Sequence, residues 1–374
     1  DIVCVKPDGS MVGKYKPSSE LPFHQSIYAQ RPDVKAVLHA HPPALVSFSI
    51  VRKMPDTRLI PNVNLICGKI AMAEYGLPGS DELGEKITAV LKRGINTVIL
   101  ENHGVVVVGD NLFKAFMAFE TLDFCARLEI EARRIGKPIS LTPHYIEIAK
   151  NKQHVDLEEF VPTSYSSKER AARKEMCELI HRSYDQKLFT STQGTFSTRL
   201  DDKSFIITPY MKDRKYLEVS EIVRIENGKK EAGKMPSRSV LLHQYIYQKH
   251  PHIHSVIIAH PHNIMVFAVT DETFDSRTIP ESYILLRNIP KLPFGSSFMQ
   301  PAMIADLFLQ KCPIVLVEND CIIVTGSSLL NAFDRLEVAE FSAKALIASK
   351  SLGEVISIND RQVAEIEKAF HLAH

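Results

Sequence analysis

The sequence contains one unit twice, about 220 residues apart. The stretch at 33–42 reads DVKAVLHAHP, and the stretch at 252–261 reads HIHSVIIAHP. Further along, TVILENHGVVVVG at 97–109 is matched by IVLVENDCIIVTG at 314–326. A repeat of this length predicts that one fold is built twice along the chain.

Each copy has the pattern of an α/β unit. Apolar stretches of four to six residues alternate with longer amphipathic stretches, which predicts strands alternating with helices. In the first copy we expect a helix over 20–31, a strand over 35–40, and strands over 97–101 and 105–108 on either side of a tight turn. In the second copy we expect a strand pair at 194–199 and 204–208.

At 374 residues the chain exceeds the size at which one hydrophobic core usually keeps growing. We expect a first domain at 1–138, a polar linker at 139–166, a second domain at 167–352 and a C-terminal helix at 353–374. The second copy has about fifty residues ahead of Val223 that lack a counterpart in the first copy. We therefore expect the front segment of the first unit to be absent from this chain, since a strand without its neighbours leaves an open sheet edge.

Charge and cysteine content narrow the class of protein. Lys and Arg number 45 and Asp and Glu number 44, so the formal net charge is +1. This balance disfavours a general binder of nucleic acid or membrane surfaces. The six cysteines show no CxxC spacing, which indicates reduced thiols in a cytoplasmic protein. No apolar stretch is long enough to span a bilayer, and no signal-peptide pattern opens the chain.

The most informative residues for chemistry are two histidines in the strand at 35–40 and the position just after it. His39 and His41 are two residues apart, so on a strand their side chains project from the same face. Two imidazoles placed in this way form a ready pair of ligands for a divalent metal. Glu20 lies nineteen positions before His39. The alternative is a hydrogen-bonded histidine pair in the core.

Three motifs together resemble the class II aldolase/adducin family. They are PSSELPFHQ at 17–25, VLHAHP at 37–42 and ENHG at 101–104. The resemblance implies three-layer α/β/α units with a mostly antiparallel central sheet, two per chain. It also implies ring-like assembly, so we expect a homo-oligomer, either a dimer of tandem chains or a tetramer.

The resemblance also implies roles for individual residues. His39 and His41 would bind zinc, with another divalent metal possible, and Glu20 would act as the acid/base. Ser18 and Ser19 match the serines that contact the substrate phosphate, although they could serve only as helix caps.

The third metal ligand departs from the pattern of the aldolases, which carry a histidine in the long helix. Glu120 occupies that position, seventeen residues after His103. Glutamate is a competent zinc ligand, so we expect Glu120 to complete the site, the alternative being a solvated helix residue. For His103 we prefer a structural role in the turn to metal ligation.

The second copy has lost most of these residues. Ser239, Ile258 and His260 stand where the first copy has Glu20, His39 and His41, and Asn-His-Gly has become Asn319-Asp-Cys. Its segment GTFSTR at 194–199 resembles the phosphate loop of the family with threonine in place of asparagine, and TPYM at 208–211 lacks the glycine of the following turn. We therefore expect a degenerate unit that is retained for packing.

A rival metal cluster is possible at His250, His252 and His254, but the matching segment of the first copy has no histidine and lies in a loop. We interpret these histidines as surface residues.

The function that we predict is a metal-dependent lyase, of the aldolase or decarboxylase type. It would act on a phosphorylated sugar or sugar acid through a metal-stabilised enediolate. One alternative is epimerisation or dehydration at the same site. The other is a non-catalytic, adducin-like interaction module.

Overall fold

The computed structural model describes residues 2–309 and 312–372. These residues form two compact units. One includes the chain up to Pro55 and Val63–Ala126, and the other includes Asp56–Asn62 and the chain from Arg127 onward. The domain boundaries expected from the sequence stay predictions.

The first unit is built around a four-stranded sheet of order β3-β6-β5-β4. The β3–β6 and β6–β5 pairs are antiparallel, and the β5–β4 pair is parallel. The elements that lie wholly or mostly in this unit are β1 (Cys4–Val5), β2 (Met11–Val12), α1 (Leu21–Gln30), β3 (Ala36–Ala40), α2 (Pro43–Ile50), α3 (Pro61–Cys67), β4 (Ile70–Ala73), α4 (Asp81–Leu91), β5 (Thr97–Leu100), β6 (Val105–Gly109) and α5 (Leu112–Ile135). The helix and strands that we expected in this copy are confirmed to within about one residue at each end.

Helices α1 and α4 cover one face of this sheet. Phe23 and Ile27 of α1 and Leu83 and Ile87 of α4 lie in one buried cluster with residues of β5 and β6. All four valines of 105–108 are buried, so both faces of β6 are covered. The three-layer arrangement of whole units stays a prediction.

The second unit contains a nine-stranded sheet of order β13-β14-β15-β12-β8-β9-β10-β11-β7. Its elements are α6 (Pro143–Lys150), β7 (Glu159–Phe160), α7 (Ser167–Asp185), β8 (Thr195–Arg199), β9 (Ser204–Ile207), β10 (Val223–Glu226), β11 (Lys229–Glu231), α8 (Val240–Lys249), β12 (Ser255–Ala259), α9 (His262–Ala268), α10 (Pro280–Leu286), β13 (Lys291–Leu292), α11 (Ser296–Met299), α12 (Pro301–Ala305), β14 (Ile314–Val317), β15 (Cys321–Gly326), α13 (Leu329–Ser349) and α14 (Asp360–Ala369). The expected strand pair appears as β8 and β9. In this sheet the β13–β14 and β11–β7 pairs are parallel and the other six pairs are antiparallel.

Four neighbouring strands of the large sheet repeat the order of the small one. Strands β13, β14, β15 and β12 correspond to β4, β5, β6 and β3 in order and in direction of pairing. The internal repeat of the sequence is therefore a repeat of strand topology. In the second unit β12 is also paired with β8.

The segment that we expected to be a polar linker is partly ordered. It contains α6, whose Ile146 and Ala149 are buried in a small cluster with Leu141 and Phe294. Thr142 caps the helix by accepting a hydrogen bond from the Tyr145 amide. Helix α6 is therefore packed within the second unit.

None of the helices in the described part of the chain has the length and apolarity needed to cross a membrane. All six cysteines are free.

Candidate functional site

Three histidines of the first unit meet at the end of β3. His39 lies on β3, His41 follows directly after it, and His103 lies in the turn between β5 and β6. Each offers a ring nitrogen, and these nitrogens all lie within 4.8 Å of one another. The predicted pairing of His39 and His41 is confirmed, because their ring centroids are 4.6 Å apart.

The pairing of β3 with β6 brings His103 to this pair. In the antiparallel register Ala40 lies opposite Val105, so the turn that precedes β6 is beside His41. The ring centroid of His103 is 4.9 Å from that of His39 and 4.9 Å from that of His41. We had preferred a structural role in the turn for His103; the structure places its ring beside the pair, and the choice between that role and metal ligation stays a prediction. The register of two strands more than sixty residues apart was the missing information.

The hydrogen bonds of His39 fix its tautomer. Its Nδ1–H donates to the carbonyl oxygen of Val105 at 3.0 Å, which leaves Nε2 with a free lone pair. That Nε2 is buried and has no hydrogen-bond partner among the described residues. Burial lowers the pKa of His39 to about 4, even though the bond to Val105 acts in the opposite direction. The ring is therefore neutral at pH 7, which is the form that binds metals.

His103 is also half-buried. Its Nδ1 is buried and lacks a partner in the described structure. Burial lowers its pKa, and the carboxylate of Glu20 partly opposes this change. His41 is exposed, so the cluster opens to solvent on that side. Such a site leaves room for a substrate.

Gly104 allows the close approach of these elements. A Cβ at this position would lie 2.6 Å from the Ala40 carbonyl oxygen and 2.7 Å from Cδ2 of His41. Both distances are shorter than real Cβ contacts. The residue after His103 must therefore be glycine for this packing to form.

Glu20 lies at the N-cap position of α1, next to the cluster. Its charge acts on both His24 and His103, and its Oε2 is buried with no described hydrogen-bond partner. Phe23, one turn further, packs edge-on against His39 with ring centroids 5.3 Å apart. Helix α1 therefore holds a carboxylate beside the imidazoles.

The other predicted site residues lie outside the three-histidine group. The Ser18 hydroxyl accepts a hydrogen bond from the Glu20 amide at 3.2 Å, and Glu20 rather than a serine occupies the N-cap. Ser19 directly precedes Glu20 at the start of the helix. Glu120 is half-buried in α5 and is not part of the group of converging ligand atoms. Its role as a ligand stays a prediction.

The second unit replaces this cluster with other chemistry. Ile258 and His260 are both buried there. Asp320 stands at the position of His103, and one of its carboxylate oxygens accepts a hydrogen bond from Ser297. Among the described residues, the only group of three potential metal ligands is the one in the first unit.

The histidines at 250–254 do not form a metal site in the described structure. The rings of His250 and His252 are 5.6 Å apart, but His250 Nε2 lies 2.6 Å from the carbonyl oxygen of Ala305 and donates to it in one tautomer.

Comparison with known proteins gives the same pattern of two copies. The family described as "Class II Aldolase and Adducin N-terminal domain" matches residues 1–130 and again residues 174–347. The chain is 31% identical over 135 residues to an L-fuculose phosphate aldolase of Methanococcus maripaludis, covering 36% of this chain and 72% of that protein. It is 34% identical over 128 residues to a 3-oxo-tetronate 4-phosphate decarboxylase of Pectobacterium atrosepticum, covering 33% of this chain and 58% of that protein.

Among solved structures, YgbL of Klebsiella pneumoniae is similar, with 21% sequence identity and a TM-score of 0.48 over 53% of this chain and 98% of that chain. The two matched regions together cover most of the 374 residues. The chain belongs to the class II aldolase and adducin N-terminal domain family.

Proposed function

We propose that the first unit contains a site for a divalent metal, with Zn²⁺ as the expected ion. We also propose that this site catalyses lyase chemistry on a phosphorylated sugar or sugar acid. The observation that carries the proposal is the neutral His39 ring, whose buried Nε2 lacks a partner while two further imidazoles converge on it. The named activities of the relatives, aldolases and a decarboxylase of sugar phosphates, support the same reaction class.

The residues present fit a metal ion. His39 Nε2, His103 Nδ1 and Glu20 Oε2 are all buried without a described partner. A buried polar atom with no partner costs on the order of 1–3 kcal/mol, so unpartnered nitrogens on two rings of the three-histidine group favour a ligand that satisfies both of them. Zn²⁺ binds imidazole nitrogen readily and often takes three protein ligands in catalytic sites.

His39 and His41 would hold the metal in this proposal. The third ligand would be His103, on the strength of its position, or Glu120, on the strength of the family pattern. When bound, the cation would polarise the substrate carbonyl and stabilise the negative charge that develops as the carbon–carbon bond breaks. The exposed side of His41 would leave a position for substrate.

Glu20 would move the proton at the reacting carbon. A carboxylate beside the cluster and partly shielded from water is suited to general acid/base work. Ser18 and Ser19 would contact the phosphate at the start of α1, where spare backbone N–H groups favour an anion.

The first experiment is metal analysis of the purified protein. We expect about one zinc per chain, lost when His39 and His41 are both replaced by alanine. His144→Ala is the matched control, because His144 is exposed on α6 and distant in sequence. A protein that never retains metal would instead favour the adducin-like module.

The third ligand can be identified by comparing His103→Ala with Glu120→Gln. We expect His103→Ala to weaken zinc binding at least about tenfold, as loss of supporting groups commonly does, and Glu120→Gln to weaken it less. The reverse order would assign the site to Glu120.

Assays with L-fuculose 1-phosphate and 3-oxo-tetronate 4-phosphate then test the reaction. We expect Glu20→Gln to retain zinc and to lose turnover by a factor of about 10² to 10⁴. Formation of an epimer or a dehydrated product, with no cleavage, would assign the site to the alternative reactions. Sedimentation of the purified chain tests the predicted homo-oligomer.

A further inference from the structure

The second unit contains a cleft that the proposed reaction does not use. It has a volume of about 280 Å³ and lies between the residues after α6, the start of α8 and the helix α11. Its walls include Lys152, Arg238, Ser239 and Phe298, together with apolar residues. Lys152 comes from the segment that the sequence indicated to be a polar linker.

Two cations share this cleft without an ion-pair partner among the described residues. Nη1 of Arg238 lies 3.4 Å from the carbonyl oxygen of Lys152, so the two residues are in direct contact. Within residues 2–309 and 312–372, no carboxylate oxygen lies within ion-pair distance of either side chain, although many other Lys and Arg residues are paired. The positive charge of Arg238 acts on Lys152.

Aromatic rings hold both cations in place. The ammonium of Lys152 lies 4.6 Å from the ring centroid of Phe298, and the guanidinium of Arg238 lies 5.3 Å from the ring centroid of Tyr210. A cation on an aromatic face is stabilised there and loses freedom to move into solvent. The two charges are therefore positioned before any ligand binds.

One acidic group lies nearby. The charge of Asp320 acts on Lys152, but among the described residues Asp320 forms no ion pair with Lys152 or Arg238, and its carboxylate accepts a hydrogen bond from Ser297. Burial lowers the pKa of Lys152, while Asp320 acts in the opposite direction. One carboxylate outside ion-pair distance does not offset two fixed positive charges.

We propose that this cleft binds a small organic phosphate through Lys152 and Arg238. A phosphomonoester carries a charge of about −1.5 to −2 at pH 7, which matches two positive groups. The guanidinium can donate two parallel hydrogen bonds to phosphate oxygens, and the ammonium acts as a point charge. Leu241, Leu242 and Pro301 line the same cleft and would contact the carbon skeleton of the ligand.

This site differs from the one in the first unit in kind. Ile258 replaces the first strand histidine, and the described part of the second unit holds no group of three metal ligands. The anion would therefore be bound by side-chain cations alone. Loss of the metal ligands would leave the second unit with a binding function of its own.

Site-resolved lysine labelling tests the proposal. The 374-residue chain is treated with an amine-reactive reagent in the presence of EDTA, with sn-glycerol 3-phosphate, with glycerol, or with sodium chloride at the same ionic strength. Modification of each lysine is followed by mass spectrometry. We expect saturating glycerol 3-phosphate to slow labelling of Lys152 about tenfold, since a bound dianion favours the protonated amine. Lys174, whose side chain is 74% exposed, is the control within the same molecule.

Substitution of Arg238 provides the second arm. We expect Arg238→Gln to raise about tenfold the concentration of glycerol 3-phosphate that gives half-maximal protection of Lys152. This is the usual effect of losing a charge-assisted hydrogen bond. We expect Arg238→Lys to retain part of it. The unfolding transition of each variant shows whether it is folded.

Three results would overturn the proposal. They are absence of protection at Lys152 in the unmodified protein, equal protection at Lys174, and protection that is unchanged in a folded Arg238→Gln variant. Because EDTA is present and the readout is at a residue of the second unit, failure here is distinct from failure of the metal site in the first unit.

Discussion

Replacement of Gly104 by alanine would test the metal centre without removing any of its ligands. The new Cβ would lie 2.6 Å from the Ala40 carbonyl oxygen and 2.7 Å from Cδ2 of His41, whereas ordinary contact begins at 3.4 Å. To reach ordinary contact, the separation of the new Cβ from the carbonyl oxygen must grow by about 0.8 Å and its separation from the ring by about 0.7 Å. Overpacking of this kind costs about 1–3 kcal/mol of stability.

The displacement of His41 has a consequence for metal binding. Ligand distances in metal sites are held to within about 0.2 Å, so a shift of about 0.7 Å takes the ring of His41 out of position. We expect Gly104→Ala to bind zinc at least about tenfold more weakly, an effect comparable with loss of a group that orients a ligand. Competition with a chromophoric chelator measures the affinity, and urea unfolding measures the stability.

Gly353→Ala is the matched control, because its Cβ would meet no atom within 4 Å and its φ is outside the left-handed region. Two results would refute the reasoning. If Gly104→Ala loses stability but binds zinc normally, His41 is not a ligand. If it is as stable as the unmodified protein, the close packing of the turn against β3 is wrong.

Three further predictions concern other parts of the chain. Asn319 has a positive φ of 52° and donates hydrogen bonds to the carbonyls of Leu59 and Ile139 at 2.9 and 2.8 Å, so Asn319→Ala should cost about 3 kcal/mol in urea unfolding. Asn319→Gly keeps the backbone conformation and should cost less; equal stability of all three proteins would contradict the assignment. Burial alone would raise the pKa of Glu231, but hydrogen bonds from Lys234, Tyr165 and Arg173 outweigh it and lower the pKa to about 2. The folded state then binds fewer protons than the unfolded state between about pH 4.5 and 2, so up to about 3 kcal/mol of stability is lost as the pH falls through this window. Unfolding measured at pH 6 and pH 3 should show a smaller decrease for Glu231→Gln, and an identical decrease would count against the network. Finally, removal of zinc with EDTA should lower the unfolding temperature, by the equivalent of about 2.7 kcal/mol if free zinc had been at a hundred times its dissociation constant. The decrease should be reversed by added zinc and should not occur in the double alanine variant of His39 and His41.

Much of the fold was determined by local sequence pattern. Hydrophobic periodicity predicted α1, β3, β5 and β6 because these elements bury one face or both. Apolar residues therefore recur along the sequence at the spacing of the buried face. The repeat predicted that strand topology would recur, and the order β4-β5-β6-β3 does recur as β13-β14-β15-β12. The proximity of His39 and His41 was predicted from the alternation of side chains along a strand, and it is found although β3 ends at Ala40.

What the sequence could not provide were contacts between segments distant along the chain. His103 joins the histidine pair because β3 and β6 are paired in one register, and a shift of one residue would have moved its neighbours to the other face. Lys152 reaches the cleft of the second unit because buried residues of α6 fix the presumed linker there. The sequence by itself therefore determined where the helices and strands lie, that their order repeats, and that the imidazoles of His39 and His41 are close together. The tertiary structure decided that His103 lies beside these two rings and that Lys152 and Arg238 line the cleft of the second unit. Both facts depend on strand register and on side-chain packing between segments that are distant along the chain.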